Sequence, residues 1–265
     1  MKYKITSNEA DVCVLQEGAM LTSLLKNSTE YLWQGDEEHW SGQAPICFPI
    51  VGMLPNNEGT AFGEKCVMKR HGVARINPFD YELEVKYTLV GSTVSVEYLV
   101  KNTGKKKMPF VIGGHPAFNC PLDENEKFED YKVAFDKALD GGYLRPDHHS
   151  GLIDIKNRFD DFDGESEIAM RHDLFEEKDA MIFDSIAPKS ATLIGPMGKG
   201  VKIEYQDMAN LLIWSACGNA DFVALEPWTG ISNCSDETNE IEKKRGMTIL
   251  EPNEQAGFKY KITMI

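Results

Sequence analysis

The amino-acid sequence predicts an all-β protein, a large sandwich or barrel of antiparallel sheets with few short helices. Apolar and polar residues alternate along several stretches, and this period of two is typical of strands with one buried and one solvated face. Glycine, proline and asparagine separate these stretches, as they do at turns. Strands and long helices do not alternate, so neither a Rossmann fold nor a TIM barrel is expected.

The strongest strand signal is a hairpin in the segment 81–100. Apolar residues alternate with polar ones on both sides of Gly91 and Ser92, which predict the turn. These alternating residues are Tyr81, Leu83, Val85, Tyr87 and Leu89, then Val94, Val96, Tyr98 and Val100. The same pattern predicts strands at 131–135, 201–205 and 258–264.

Helices are a minor part of the prediction. The charged segment 236–245 is expected to form a short surface helix, and 174–179 one helical turn. The acidic, glycine-containing segment 157–167 predicts a surface loop. No repeat or linker divides the 265 residues. We therefore expect residues 1–265 to form one domain, with two domains as the alternative, since a single core can reach about 250–300 residues.

Charge narrows the classes of function. Lysine and arginine number 28 against 42 aspartates and glutamates, which gives a net charge of −14. Nucleic acids and anionic membrane surfaces bind through clustered basic residues, so neither is an expected partner. No stretch approaches the roughly 20 apolar residues of a membrane span.

The first ten residues and the cysteines indicate the compartment. The segment MKYKITSNEA lacks the apolar stretch of a signal peptide, so we expect a cytoplasmic protein. Six cysteines in 265 residues, none of them in a CxxC pair, are sparse for a disulfide scaffold. Reduced and mostly buried thiols are expected instead.

The segment MPFVIGGHPAFNCPL places a histidine where an apolar strand ends. Gly113 and Gly114 allow another group to approach the backbone closely, and His115 follows them. An imidazole, with an ordinary pKa of about 6.5, is the natural acid or base near neutral pH. The alternative is a structural histidine that bonds a turn carbonyl, and residue type alone favours this alternative.

A second candidate is Glu226, in the segment DFVALEPWTGISN. It follows the apolar run 222–225 and precedes Pro227 and Trp228. Partial desolvation by such neighbours makes a carboxylate more basic, which suits a general base. A surface glutamate at a strand end is the alternative.

The third candidate segment is KRHGVAR, residues 69–75. His71 precedes Gly72, and Arg70 and Arg75 lie on either side. The imidazole could orient a polar ligand, and the planar guanidinium of Arg75 could hold an anion. An ordinary turn with solvated charges is the alternative.

The remaining histidines and the tryptophans carry weaker signals. His148 and His149 are adjacent, and neighbours in extended chain point in opposite directions, so joint metal binding is not expected. His39 and His172 have no partner at a metal-binding spacing, and HExxH, GxSxG and glycine-rich phosphate motifs are absent. We expect about half of the tryptophans in the core and one or two against a sugar face. They are Trp33, Trp40, Trp214 and Trp228.

Four segments, in order along nearly the whole chain, resemble the aldose 1-epimerase (galactose mutarotase-like) family, and most closely its bacterial LacX-like branch. They are EYLWQGDEEHWSGQAPICFPIVG, HGVAR, GGHPAFNCPL and LEPWTGISN. The resemblance implies a single-domain β-supersandwich. It also implies an isomerase that interconverts the α and β anomers of an aldose or aldose phosphate. The implied partner is a small sugar, and no cofactor is implied because ring opening needs neither a redox group nor ATP.

The resemblance also implies roles for particular residues. His115 matches the family's general acid and Glu226 its general base. His71 matches a histidine that binds substrate hydroxyls. Asp179, in the segment EEKDAMIF, matches a further contact to sugar hydroxyls.

One position departs from the family pattern. The family's FPIVGRL carries an arginine that contacts substrate, whereas this chain reads FPIVGML, with Met53 in place of that donor. Arg75 matches an arginine of related sugar-phosphate mutarotases, and the resemblance therefore implies that it contacts the substrate. Met53 motivates the alternative of a non-catalytic sugar-binding protein on the same scaffold. A metal enzyme that uses His71, His115 and Glu226, or a glycoside hydrolase, which needs two carboxylates, are further alternatives.

Overall fold

Antiparallel strands make up most of the regular structure. The computed structural model describes residues 1–72, 80–147, 150–176 and 180–265. Its strands are β1 (Lys2–Thr6), β2 (Ala10–Leu15), β3 (Met20–Lys26), β4 (Thr29–Glu30), β5 (Ile46–Cys47), β6 (Glu58–Ala61), β7 (Glu64–Val67), β8 (Tyr81–Val90), β9 (Thr93–Asn102), β10 (Met108–Phe110), β11 (Gly113–Gly114), β12 (Ala117–Asn119), β13 (Lys132–Phe135), β14 (Glu167–Ala169), β15 (Met181–Phe183), β16 (Ser190–Ile194), β17 (Gly200–Glu204), β18 (Asn210–Trp214), β19 (Phe222–Trp228), β20 (Thr248–Leu250) and β21 (Gln255–Met264). Helical structure consists of α1 (Asp173–Glu176) and 3-10 turns at Glu17–Ala19, Pro55–Asn57, Phe128–Asp130 and Ile241–Lys243.

Two large sheets form the body of the fold. One has seven strands in the order β14-β13-β16-β17-β21-β9-β8. The other has the order β15-β18-β19-β11-β5, with β12 as a second partner of β19. Fully buried residues of both sheets share one apolar core, for example Val94 and Ile262 from the first and Ile213 and Leu225 from the second. The all-β sandwich prediction is confirmed.

The predicted hairpin is present as β8 and β9. The two strands pair from Tyr81 opposite Asn102 to Val90 opposite Thr93, which leaves a two-residue turn. Gly91 in this turn has a φ of +56°, a conformation that glycine adopts without the steric cost of a Cβ. The strands predicted at 131–135, 201–205 and 258–264 are β13, β17 and β21.

The surface helix expected at 236–245 is not formed, and Ile241–Lys243 makes only a 3-10 turn. The carboxylate of Glu237 accepts the backbone N–H of Arg245 at 2.8 Å. The guanidinium of Arg245 donates two hydrogen bonds, of 2.9 and 2.8 Å, to Asp236. These contacts pair the charged side chains and a backbone N–H while the segment is in a turn, and so stabilise the turn instead of a helix. The expected turn at 174–179 is α1, and its last three residues lie outside the described ranges.

The two faces of the six-stranded sheet differ because successive side chains of a strand point to opposite sides. On β18 and β19, the residues facing the core are Leu211, Ile213, Val223 and Leu225. The residues on the other side, here called the cleft face, include Leu212, Trp214, Glu226 and Trp228. The cleft face forms the floor of a surface cleft rather than packing on the seven-stranded sheet.

The structure also bears on the membrane and disulfide expectations. Among the residues that it describes, no helix combines the length and the apolar character that a bilayer crossing requires. The six cysteines form no disulfide bonds with one another. Cys47, Cys120 and Cys234 are buried, and Cys217 is exposed.

Candidate active site

A cleft of about 580 Å³ lies over the cleft face of the six-stranded sheet. This size, together with an apolar floor and a few polar groups, is usual for small-molecule sites. The lining residues on which the chemistry depends are Trp40, Met53, Lys69, Arg70, His71, His115, Trp214, Glu226 and Trp228. Three of the four tryptophans therefore line the cleft, whereas Trp33 packs against Phe222 with ring centroids 4.9 Å apart.

Strand register brings His115 and Glu226 together. On β11, Gly113 pairs with Trp228 of β19, and on β12, Ala117 pairs with Ala224. His115 lies midway between Gly113 and Ala117, so it faces Glu226, which lies midway between the two partners on β19. Residues more than a hundred positions apart in sequence therefore meet on one face of the sheet.

The two side chains are in direct contact. Nε2 of His115 lies 3.3 Å from Oε1 of Glu226, and the side chains are 9% and 1% exposed. An imidazolium and a carboxylate at this separation attract each other strongly, because little water screens them. Glu226 is thus a buried residue of the cleft floor, and His115 contacts a carboxylate.

The two glycines before His115 let neighbouring side chains pack on the backbone. A Cβ added at Gly113 would collide with the ring of Trp228, and one at Gly114 would collide with the hydroxyl of Tyr260. The indole Nε1–H of Trp228 donates to the carbonyl of Gly114 at 3.2 Å. The sequence prediction of a close approach is confirmed, and the approaching groups are these two aromatic side chains.

Aromatic rings fix the orientation of the His115 imidazole. Trp40 stacks on it with ring centroids 4.8 Å apart and planes at 25°, and Trp214 meets it edge-on at 5.4 Å. The two tryptophan rings leave the imidazole little freedom to turn away from Glu226. The contact with Trp40 lies between residues 75 positions apart, and no sequence motif indicates it.

His71 lies beside the pair, held by backbone contacts. The backbone N–H of His71 donates to the carbonyl of Gly52 at 2.7 Å, and the backbone N–H of Gly52 donates to the ring Nδ1 of His71 at 3.2 Å. Since Nδ1 accepts a hydrogen bond, the proton of the neutral ring lies on Nε2. The ring centroids of His71 and His115 are 5.4 Å apart. The structure thus brings together His71, His115 and Glu226, all three described residues of the predicted site.

Met53, which departs from the family motif, contacts a different arginine. Nη2 of Arg70 lies 3.2 Å from the sulfur of Met53, and both residues line the cleft beside Lys69. The guanidinium of Arg70 therefore lies next to position 53, where the family motif has an arginine. It comes from the same loop as His71. The sequence motif around His71 contains Arg70 but indicates no role for it.

Several sequence predictions fall outside the described residues. Arg75 and Asp179, the other expected substrate contacts, lie in the gaps at 73–79 and 177–179, as do His148 and His149 in the gap at 148–149. Within the described ranges, no three His, Cys, Asp or Glu side chains are arranged to hold a metal ion. The metal-enzyme hypothesis gains no support from this arrangement.

A large β-sandwich with a histidine and a glutamate paired in a tryptophan-lined cleft can be compared with proteins of known family. The family model of aldose 1-epimerase matches residues 64–263. Protein LacX of Lactococcus lactis subsp. lactis, in its plasmid and chromosomal forms, is 34% identical over 282 residues, covering 94% of each chain. The chain belongs to the aldose 1-epimerase family, and the predicted family resemblance is confirmed.

Two solved structures extend the comparison to the fold. The galactose mutarotase related enzyme from Lactobacillus acidophilus is 27% identical, with a TM-score of 0.90 over 100% of this chain and 97% of that one. A galactose mutarotase-like protein from Lactobacillus casei ATCC 334 is 25% identical, with a TM-score of 0.88 over 100% of both chains. The predicted galactose mutarotase-like β-supersandwich is confirmed.

Proposed function

We propose that the chain is an aldose 1-epimerase that interconverts the α and β anomers of an aldose, with Glu226 as general base and His115 as general acid. The observation that carries the proposal is the 3.3 Å contact between their side chains at the floor of the cleft. Groups this close can reach the anomeric hydroxyl and the ring oxygen of one hemiacetal, which are bonded to the same carbon. Family membership supports the same reaction.

Ring opening moves two protons. Glu226 removes the proton of the anomeric hydroxyl, and the electron pair of that O–H bond forms the carbonyl. The bond between the anomeric carbon and the ring oxygen breaks, and the ring oxygen takes its electron pair and a proton from His115. The product is the open-chain aldehyde, with Glu226 neutral and His115 neutral.

Ring closure reverses both transfers. Rotation about the bond next to the aldehyde presents its opposite face to the same hydroxyl. His115 takes back the hydroxyl proton as that oxygen attacks, and Glu226 returns a proton to the carbonyl oxygen. Both groups end the cycle as they began, so the reaction consumes no co-reactant.

The primary test is the approach of a freshly dissolved α-aldose to anomeric equilibrium, followed by NMR. We expect the rate for α-glucose, α-galactose or their phosphates to rise in proportion to protein concentration above the buffer rate. If none of these sugars is accelerated, the catalytic proposal is wrong. Saturable sugar binding in calorimetry without acceleration would instead support the non-catalytic alternative.

His71 is expected to act in substrate binding. Asparagine tolerates the φ of +61° at this position, so His71→Asn is the suitable variant. It should raise KM by about three- to tenfold, which corresponds to the binding free energy of one hydrogen bond. kcat should change less, because a contact made equally in ground and transition states affects KM alone. Steady-state kinetics by NMR would measure both constants, with His172→Asn as a control outside the cleft lining. A large fall in kcat at unchanged KM would contradict this role.

The cations at the cleft favour a phosphorylated aldose as substrate. Lys69 and Arg70 line the cleft, and neither forms an ion pair with a described carboxylate. Among the described lining residues, Glu226 alone is acidic, although the chain carries a net charge of −14. The cleft thus presents local positive charge on an acidic protein, which attracts an anionic group.

We expect Lys69→Gln and Arg70→Gln to raise KM for an aldose phosphate by about tenfold each, since hydrogen bonds to charged groups are worth about 1.5–3 kcal/mol in favourable sites. KM for the neutral aldose should change less than about twofold, within the range of ordinary surface substitutions. Lys259→Gln, an exposed lysine on β21, is the matched control. Equal effects on both sugars would show that the two cations do not bind a phosphate.

A further inference from the structure

A loop on the rim of the cleft carries Trp40, the residue that stacks on His115. The Trp40 loop, residues 34–44, is closed by hydrogen bonds to the carbonyl of Trp40 from the indole N–H of Trp33, at 2.9 Å, and from the backbone N–H of Asp36, at 3.1 Å. A Cβ added at Gly42 would collide with the Trp40 ring, so the ring lies directly on that glycine. The position of this loop therefore sets the position of the stacked indole.

His39 connects the Trp40 loop to the turn between β18 and β19. Its Nδ1 lies 3.1 Å from a carboxylate oxygen of Asp36, and its Nε2 lies 3.0 Å from the carbonyl oxygen of Gly218. Both partners only accept hydrogen bonds, whereas a neutral imidazole has a single N–H to donate. Both bonds form together only when His39 is an imidazolium. The His39 side chain is 17% exposed, and its bond to the Gly218 carbonyl lies at the surface.

The charged groups around His39 act in the same direction. The hydrogen bond to Asp36 raises the pKa of His39 above its usual value, and the Gly218 carbonyl and the charge of Glu38 raise it further, against the opposing effect of burial. On the other side of the contact, the carboxylate of Glu176 in α1 accepts the N–H of Gly218 at 2.9 Å. Cys217 also lies on this turn, and its thiol is 3.3 Å from the carbonyl of Phe175.

We propose that protonated His39 is a positioning residue, which clamps the Trp40 loop to the turn after β18 and so holds Trp40 against the His115 ring. The effect on catalysis rests on the function proposed above. Because the pKa of His39 is raised, the clamp is complete below that pKa and loses one hydrogen bond as the pH rises through it. The contribution of His39 to activity is therefore greatest on the acidic side of its pKa and smaller on the alkaline side, where the neutral ring keeps only one of the two bonds.

The kinetic test compares the wild-type protein with His39→Gln, whose neutral amide cannot form the charged clamp. The ratio of their kcat/KM values should be about tenfold at low pH, the value of one charge-assisted hydrogen bond, and should fall toward one above the His39 pKa. In a Trp40→Ala background, His39→Gln should have no further effect, as expected for residues that act through each other. A ratio that does not change with pH would overturn the proposal.

A second readout does not depend on activity. We expect nitrogen-detected NMR to show that His39 keeps protons on both ring nitrogens up to a higher pH than a histidine in an unstructured peptide does. The indole N–H signal of Trp40 should shift with the same midpoint in the wild type but not in His39→Gln. His172→Gln, whose histidine bonds Glu129 at 2.7 Å, is the matched control and should leave the Trp40 titration unchanged. A His39 ring that loses its second proton at no higher pH than the unstructured peptide would overturn the clamp, whereas a protein that accelerates no sugar but shows this titration would overturn only the proposed function.

Discussion

Replacing His115 with alanine, or Glu226 with glutamine, is expected to lower kcat for anomer interconversion by about 10²–10⁴-fold. Each substitution removes one of the two groups that exchange protons with the hemiacetal. Glutamine has nearly the shape of glutamate and keeps one hydrogen-bond acceptor, so Glu226→Gln removes the base with little change in packing. The double variant should lose little more than either single variant, because groups that act as a unit are not additive.

Controls separate this loss from a loss of structure. Glu204→Gln on β17 and His172→Ala change the same residue types outside the cleft lining and should retain wild-type kcat. Circular dichroism and thermal unfolding of each variant would show whether the fold persists. Wild-type activity in folded Glu226→Gln would remove Glu226 from the mechanism.

Gly113→Ala is expected to destabilise the fold by about 1–3 kcal/mol, the usual range for overpacking, and to lower kcat. The added Cβ would collide with the ring of Trp228 and lie 2.9 Å from the carbonyl oxygen of Pro227. Since both contacts are on β19, relief of the clash requires β11 and β19 to separate. This movement would change the distance between His115 and Glu226.

Gly257→Ala is the matched control for this prediction. A Cβ at Gly257, on β21, would meet only the carbonyl oxygen of Tyr98 at 3.6 Å, an ordinary contact. We expect the free energy of unfolding to change by less than about 0.5 kcal/mol and kcat to stay unchanged. Urea unfolding of both variants would measure the difference, and equal stability of the two would contradict the close packing at Gly113.

Local patterns predicted much of the fold. The alternation on either side of Gly91 identified β8 and β9 because a hairpin depends on neighbours in sequence. The helix expected at 236–245 was wrong because the carboxylate of Glu237 and the pairing of Arg245 with Asp236 stabilise a turn. Such side-chain contacts have no signature in a charge pattern.

The site was predicted less completely, and for a physical reason. Glycine, proline and tryptophan neighbours singled out His115 and Glu226, but their contact depends on the register between strands far apart in the chain. His39 was set aside because it has no partner at a metal-binding spacing. The spacing of three residues between Asp36 and His39 was the one sequence feature that indicated their contact. The contact with the Gly218 carbonyl joins residues far apart in the chain, so only the folded structure shows it.

The most direct test of the paired acid and base follows a free aldose and its methyl glycoside side by side with the same protein. Exchange NMR at anomeric equilibrium should show α and β signals interconverting faster with wild-type protein, and at the buffer rate with Glu226→Gln. The methyl glycoside has no anomeric hydroxyl, and so no hydroxyl proton for Glu226 to remove, and it should remain unchanged. Hydrolysis of the glycoside, or equal exchange rates with wild-type protein and Glu226→Gln, would contradict opening of a hemiacetal ring by His115 and Glu226.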